Sequence, residues 1–233
     1  MTTLLDEMVI TEGNKEAFEA ILSIGRSHPE AQRLFIWGPA GSGKSSVAYA
    51  RGREKDLLST RRIISCHSQE VMASLKSGVN DGFLDEIGEV DILLLDGFES
   101  LFAAPDIGPS LARLLLSARN AKGLSTVVIS DVPMAEVDGP ELEGALDGFR
   151  QISVEPLDGS GWVEFARRVQ DTVRGSRDSA PVLSDDALAF IANGFAQGPD
   201  DIRNAVRYLL TQTEEPAGSE LKAERVRELL GVS

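Results

Sequence analysis

The chain has 233 residues, a hydrophobic content of 42%, and 37 acidic against 23 basic residues, which gives a formal net charge of −14. This length allows one domain of ordinary size or a larger domain carrying a small one. The acidic balance predicts repulsion from a nucleic-acid backbone, so any DNA contact would have to be local. The single cysteine excludes an intramolecular disulfide, and no apolar run approaches about 18 residues, so we expect a cytoplasmic protein.

Short apolar runs alternate with helix-like stretches over the first part of the chain. The runs are rich in Leu, Ile and Val and lack polar alternation, which is typical of strands buried on both faces. They cover residues 34–37, 63–66, 92–95, 126–129 and 151–154. The helix-like stretches cover residues 15–26, 45–51, 69–76 and 110–120. This alternation predicts an α/β fold with a five-stranded parallel sheet between helices.

The pattern changes after about Pro156, because no strand-like run follows. Amphipathic stretches cover residues 162–173, 185–195, 200–210 and 220–230. Ser184 and Pro199 lie where a helix start favours a capping hydroxyl and an early proline, and Gly231 follows the last stretch as a stop. We therefore expect a nucleotide-binding domain over residues 1–156 and a small all-helical lid domain over residues 157–233.

The strongest chemical signal is a glycine-rich loop, Gly38-Pro-Ala-Gly-Ser-Gly-Lys44-Ser45, between a predicted strand and a predicted helix. Its glycines let backbone N–H groups face a phosphate, assisted by the positive end of the helix dipole. Lys44 would reach the terminal phosphates, and the Ser45 hydroxyl would bind Mg²⁺. The pattern indicates a P-loop NTPase that binds ATP or ADP with Mg²⁺. The predicted nucleotide-binding residues are Gly38, Pro39, Ala40, Gly41, Ser42, Gly43, Lys44, Ser45 and Ser46.

Two further predicted strands end in polar side chains. Asp96 ends the third strand and is placed to hold the metal through water, in the manner of a Walker B aspartate. Ser130 and Asp131 follow the fourth strand at the same sheet edge, where either could sense the γ-phosphate or orient water. A helix-capping role for Asp131 before Pro133 is an open alternative.

Other polar residues carry weaker signals. Arg203 lies one turn into a helix of the lid, where it could reach the nucleotide or remain a solvated surface residue. Cys66 and His67 end a buried strand and are interpreted as structural. The basic residues of segments 51–55 and 61–62 are interpreted as solvated faces.

The order of these parts resembles the AAA+ ATPase region of the bacterial replication initiator DnaA and of its shortened regulatory relative Hda. The resemblance covers nearly the whole chain. It implies that Val9, Ile10 and Asn14 contribute to an adenine pocket, and that residues 128–131 form the sensor 1 strand. It also implies that Arg203 is the sensor 2 arginine, which contacts the nucleotide.

Departures from the family pattern concern hydrolysis. A second acid follows the Walker B aspartate in active members of the family, whereas this chain has Gly97, and Glu99 lies two residues further on. Gly148 stands where the family places its trans-acting arginine finger, with Arg150 nearby. An arginine finger accelerates phosphoryl transfer by orders of magnitude, so we expect weak hydrolysis.

Departures also concern DNA and the sliding clamp. The sequence ends at Ser233 without the initiator's helix-turn-helix domain, and Met1–Asp6 lacks the clamp-docking peptide of Hda. Residues 71–90 correspond to a single-strand-binding segment but are mainly acidic, so strong nucleic-acid binding is not expected.

Two functions remain open from the sequence. The first is a nucleotide-gated regulator or adaptor in replication initiation that contacts another AAA+ protein, such as the initiator, with a homo-oligomer possible. The alternative is an active ATP-driven loader or remodelling ATPase that acts on a helicase or nucleic acid.

Overall fold

The structure is a computed structural model that describes most of the chain. The described residues are 6–25, 31–53, 61–77, 82–137, 140–142, 144–177, 180–195, 198–212, 215–216 and 218–232. Met1–Leu5, which form most of the segment compared with a clamp-docking peptide, lie outside them. The chain divides into a sheet unit, Glu12–Pro156, and a helical unit, which comprises Met1–Thr11 and Leu157–Ser233.

The sheet unit contains five parallel strands in the order β2-β3-β4-β1-β5. The strands are β1 (Arg33–Trp37), β2 (Ile63–His67), β3 (Ile92–Asp96), β4 (Ser125–Ser130) and β5 (Arg150–Ser153). Each lies within one residue of its predicted position, and the predicted five-stranded parallel sheet is confirmed. Apolar residues of β1, β3 and β4 are buried, as expected for strands covered by helices on both faces.

Six α-helices surround this sheet among the described residues. They are α1 (Lys15–Ser23), α2 (Lys44–Gly52), α3 (Ser68–Ser77), α4 (Phe83–Glu89), α5 (Gly108–Ala121) and α6 (Met134–Val137). Short 3₁₀ segments cover Phe98–Ala103 and Pro140–Leu142. Helix α4, helix α6 and both 3₁₀ segments were not predicted from the sequence.

The strand register gathers the polar strand ends at one edge of the sheet. His67 pairs with Asp96 across β2 and β3, and Trp37 pairs with Ser130 across β1 and β4. Because all five strands are parallel, their carboxyl ends and the loops that follow them share this edge. The phosphate loop, residues 38–45, follows β1 and therefore lies at the same edge.

Two arginines are buried in the sheet unit. Arg119 of α5 is fully buried and donates to the Thr126 hydroxyl at 2.8 Å and to the Ser125 carbonyl at 2.6 Å. It also donates to the carbonyls of Ile87 and Val90 at 2.7 and 3.1 Å. Arg51 of α2 is buried too, which corrects the expected solvated face at that position.

The helical unit has its own apolar core. It contains α7 (Gly159–Gly175), α8 (Asp185–Phe190) continued by a π-helical turn (Ile191–Phe195), α9 (Pro199–Thr211) and α10 (Ala223–Leu230). Two short parallel strands, β6 (Val182–Leu183) and β7 (Glu220–Leu221), pair with each other. The expectation of an all-helical lid is wrong in this detail, because Glu220 and Leu221 extend into a strand instead of starting the last helix.

Residues 6–11 belong to the helical unit, whereas the sequence placed them in the nucleotide-binding domain. The buried carboxylate of Glu7 pairs with Arg203 at 2.8 Å and with Arg207 at 3.1 Å. Arg168 donates to the Met8 carbonyl, and Val9 packs against the apolar core of this unit. These contacts explain why residues 6–11 group with the helical unit, whose second segment begins at Leu157. No helix within the described ranges is long and apolar enough to cross a membrane.

Candidate functional site

The phosphate loop depends on two glycines for different reasons. At Gly38, φ is +157°, and a Cβ atom would lie 2.1 Å from the Val154 carbonyl oxygen, so the close approach of two backbone segments excludes any side chain. At Gly43, φ is +90°, a conformation that other residues rarely adopt, and helix α2 begins at the next residue. The loop thus delivers the amino end of α2 to the edge of the sheet.

Lys44 fills the centre of this loop, and its side chain is only 4% exposed. Its ammonium donates to the carbonyls of Gly38 at 2.6 Å and Pro39 at 2.9 Å, and it lies 3.3 Å from the Ser42 hydroxyl. It also pairs with the Asp131 carboxylate at 2.9 Å. A buried positive charge therefore faces the concave side of the loop, with a partly exposed carboxylate as its counter-ion.

Asp131 connects Lys44 to a second acid. Its backbone N–H donates to the Glu99 carboxylate at 3.1 Å, which links the segment after β3 to the end of β4. The buried Ser130 hydroxyl accepts from the Val132 N–H at 3.2 Å. The structure thus brings Lys44, Asp131 and Glu99 together, and the Asp131 carboxylate contacts Lys44 instead of capping a helix.

Asp96 is half-buried at the end of β3, where its carboxylate accepts the Gly97 N–H at 2.9 Å. Burial, followed by the negative charge of the nearby Asp96, raises the pKa of the Tyr49 phenol to about 12. We did not predict Tyr49 from the sequence. Its position four residues after Ser45, on the same face of α2, was the available signal.

The predicted sensor arginine lies in the helical unit. Arg203 of α9 pairs with Glu7 at 2.8 Å and with Asp200 at 2.7 Å, and its guanidinium lies 5.4 Å from the centre of the Phe165 ring. It is therefore not the solvated surface residue of the alternative interpretation. Glu7 is a partner that the sequence did not reveal, because the two residues are distant along the chain.

The predicted adenine-pocket residues are divided between the two units. Val9 and Ile10 belong to the helical unit, where Val9 is half-buried and Ile10 is 55% exposed. Asn14 is buried in the sheet unit, and its carbonyl accepts the Phe18 N–H at the start of α1.

Comparisons with known proteins were made at the levels of sequence and structure. No protein-family model matches the chain. The chain is 24% identical over 223 residues to the chromosomal replication initiator protein DnaA of Thermotoga maritima, a match that covers 90% of this chain and 48% of that protein. It is 31% identical over 104 residues to DnaA of Aquifex aeolicus, covering 42% of this chain and 25% of that protein. The chain thus spans about half the length, or less, of these curated relatives.

The structural matches cover between 65% and 98% of this chain. Domain III of T. maritima DnaA superposes with a TM-score of 0.77 at 22% identity, covering 98% of this chain and 95% of that one. The chain is thus similar in sequence to DnaA and has the fold of DnaA domain III. AMPPCP-bound DnaA from A. aeolicus superposes with a TM-score of 0.67 at 18% identity, covering 90% of this chain and 65% of that one. The DnaC helicase loader superposes with a TM-score of 0.53 at 15% identity, covering 65% of this chain and 96% of that one.

The chain departs from the DnaA pattern at Gly97. This residue has φ of +64°, and a Cβ atom built on it would lie 2.2 Å from Nε2 of His67. The His67 ring, contributed by the neighbouring strand β2, therefore occupies the space that a side chain at position 97 would enter.

The family's arginine-finger position also differs. Gly148 has φ of +76°, and a Cβ atom there would lie 3.3 Å from the Arg33 guanidinium. Arg150, two residues further on, pairs with Glu16 at 2.7 Å, and both side chains are exposed. An exposed pair of this kind contributes little stability, so it would not prevent Arg150 from taking another partner.

Proposed function

We propose that this DnaA-related protein binds ATP or ADP with Mg²⁺ and acts as a nucleotide-gated regulator or adaptor in replication initiation, with weak or no hydrolysis. The observation that carries the proposal is Lys44, a buried ammonium held by the carbonyls of Gly38 and Pro39 inside a glycine-rich loop. Such a charge needs a counter-ion, and the phosphate groups of a nucleotide would take over this role from Asp131.

The shape of the loop supports a phosphate ligand. Gly38 admits no side chain, and Gly43 turns the backbone directly into α2, so N–H groups and the helix dipole face the same point. We propose that residues 38–46 hold the phosphates, and that Val9, Ile10 and Asn14 contact the adenine. The AMPPCP-bound state of A. aeolicus DnaA is consistent with this assignment.

The donor groups also fit a magnesium ion. The Ser45 hydroxyl lies in the first turn of α2, and the Asp96 carboxylate ends β3 at the same sheet edge. Hydroxyl and carboxylate oxygens are ligands that Mg²⁺ prefers, usually together with water and phosphate oxygens. When bound, the ion would neutralise phosphate charge, while the Gly97 N–H orients the Asp96 carboxylate.

We infer weak hydrolysis because two groups are missing at the sheet edge formed by the carboxyl ends of the strands. Position 97 carries no acid to position water, and position 148 carries no arginine for a neighbouring subunit. We propose that Ser130, Asp131 and Arg203 distinguish nucleotide states, with Asp131 exchanging its contact to Lys44 and Arg203 its contact to Glu7. Binding would then outlast turnover.

The proposed partner is another AAA+ protein, in the first instance the replication initiator of the same cell. The net charge of −14 and the acidic residues of α4 disfavour strong nucleic-acid binding. AAA+ proteins of this type associate with one another, so a homo-oligomer is compatible with the proposal. A DnaA structure with bound single-stranded DNA is among the matches, so DNA binding remains part of the test.

The alternative function is an active ATP-driven loader or remodelling ATPase acting on a helicase or nucleic acid. One contact favours this function. The Glu99 carboxylate accepts the Asp131 N–H and so lies at the sheet edge that carries the phosphate loop. In this role Glu99 would position water in place of the missing acid. The fold similarity to the DnaC helicase loader is compatible with this function but does not establish it.

The partner proposal predicts an effect on the host initiator. We expect nucleotide to co-purify with the chain, and one loaded state, ADP or AMPPCP, to change the initiator's ATP hydrolysis rate by about fivefold or more relative to the other. The matched controls are Lys44→Ala, which should have no effect, and Lys122→Ala at an exposed position of the same unit, which should act like wild type.

Two results would count against the regulator. No nucleotide-dependent change in the initiator would remove the proposed partner. A steady-state ATPase of the chain itself that is stimulated by a helicase or by single-stranded DNA would favour the loader.

A further inference from the structure

His67 is the polar side chain nearest to the position of the missing acid. It ends β2 and pairs in register with Asp96, so it lies at the same edge as the phosphate loop. Its Nε2 lies 2.2 Å from the place where a Cβ atom of residue 97 would be. A side chain at position 97 would therefore clash with the ring in its present position.

The hydrogen bonds of His67 fix which ring nitrogen is available. Nδ1 accepts the Gln69 N–H at 3.2 Å, and the backbone N–H of His67 donates to Glu70 at 3.1 Å. In a neutral imidazole one nitrogen accepts and the other carries the proton. Nε2 therefore carries the proton and is a donor at the edge of the sheet.

We propose that His67 takes the place of the absent acid and donates its Nε2–H to the terminal phosphate of bound ATP. The proposal rests on the nucleotide site described above, and it names the group that distinguishes ATP from ADP there. A carboxylate at position 97 would accept a proton from water, whereas Nε2–H donates to a phosphate oxygen. Without that acceptor no side chain at position 97 orients water, while the donor adds affinity for the terminal phosphate.

Nucleotide affinities of a His67→Ala variant test this assignment. Loss of one hydrogen bond to a charged phosphate should weaken binding of AMPPCP by about tenfold or more. Binding of ADP should stay within about twofold of wild type, because ADP lacks the terminal phosphate. His67→Gln retains a donor and should lose less AMPPCP affinity than His67→Ala. Equal losses for both nucleotides, or no loss for either, would overturn the proposal.

An NMR measurement on the wild-type chain tests the same contact without requiring that a His67 variant folds. The chain contains two histidines, so a histidine-labelled sample gives two ring signals, which a His28→Gln variant assigns. AMPPCP with Mg²⁺ should shift the His67 signal, and ADP with Mg²⁺ should shift it much less. A His67 signal that responds identically to both nucleotides would contradict the contact.

The steric part of the proposal has its own test. Gly97→Glu should lower the melting temperature, both because φ is positive and because the side chain meets the His67 ring. Adding His67→Ala should recover a substantial part of this loss, since it removes the clash and leaves only the backbone strain. A double variant no more stable than Gly97→Glu would show that the ring does not occupy this space.

These outcomes separate the inference from the function on which it rests. If wild type binds neither nucleotide, the nucleotide site itself is wrong. If wild type binds both nucleotides and the His67 variants retain the wild-type preference, the site stands and the role of His67 is wrong.

Discussion

Lys44→Ala is expected to weaken binding of ATP and ADP by about 100-fold or more, because each hydrogen bond from a charged donor contributes about 1.5–3 kcal/mol and Lys44 would make at least two to the phosphates. The effect should be on binding and not on folding. Among the described residues the ammonium contacts only residues of the loop and Asp131, which lie outside the strands and helices, so we expect any loss of stability to stay local, and the melting temperature is measured alongside. Calorimetric titration with each Mg²⁺ nucleotide measures the loss.

The comparison for this result is Lys122→Ala. Lys122 belongs to the same unit, but its side chain is 48% exposed and pairs with Glu89 at 3.5 Å. Its removal takes away the same charge from the whole chain, and we expect affinities within about twofold of wild type. A Lys44→Ala protein that melts normally and still binds within threefold of wild type would mean that residues 38–45 are not the phosphate site.

Arg119→Met is expected to destabilise the sheet unit by about 3–5 kcal/mol, which is a large share of the about 5–15 kcal/mol that usually stabilises a domain. Arg119 is fully buried, and its four donated hydrogen bonds include three to backbone carbonyls of Ile87, Val90 and Ser125. Methionine has a similar length but no donors, so those carbonyls would lose partners inside the core. Burial lowers the pKa of Arg119 to about 10, so the side chain is still charged near pH 7.

A matched substitution on the same helix controls for helix propensity. Arg113 lies on the exposed side of α5, so we expect Arg113→Met to change the free energy of unfolding by no more than about 0.5 kcal/mol. Urea unfolding can be followed selectively in a Trp162→Phe background, since Trp162 lies in the helical unit and Trp37 in the sheet unit. A loss below about 1 kcal/mol for Arg119→Met would show that water or other donors replace the guanidinium.

The central sheet was predictable because its strands are buried on both faces. Such strands appear in a sequence as short uninterrupted apolar runs, and β3, Ile92–Asp96, is a clear example. The helices α2 and α5 were predictable for a related reason, since each has an apolar face long enough to show helical spacing.

Short elements escaped the sequence because periodicity needs length. Helix α4 has seven residues with a single buried one, Ile87, and strands β6 and β7 have two residues each. Two-residue strands owe their existence to pairing with each other, which no local pattern encodes. The same reason explains why the start of α10 at Ala223 was placed too early, since Glu220 and Leu221 pair with β6.

The candidate site divides in a similar way. The proposed phosphate loop is a continuous segment whose glycines and lysine have fixed spacing, so the sequence was sufficient to predict it. The ring of His67, the phenol of Tyr49 and the carboxylate of Glu7 act through partners far along the chain, at Gly97, Asp96 and Arg203. Only the packing of strands and helices brings such partners together, so the sequence did not reveal these contacts, although the spacing of Tyr49 from Ser45 was an available signal.

Single-turnover hydrolysis of Mg²⁺-ATP by the isolated chain tests the central claim most directly. With no acid at position 97 and no arginine at position 148, we expect bound ATP to be hydrolysed at a rate on the order of 10⁻³ s⁻¹ or slower, as in P-loop proteins without an arginine finger. The Glu99→Gln variant shows whether Glu99, which lies beside Asp131, supplies the missing acid. A rate on the order of 1 s⁻¹ that persists in Glu99→Gln would contradict a nucleotide-gated regulator with weak hydrolysis.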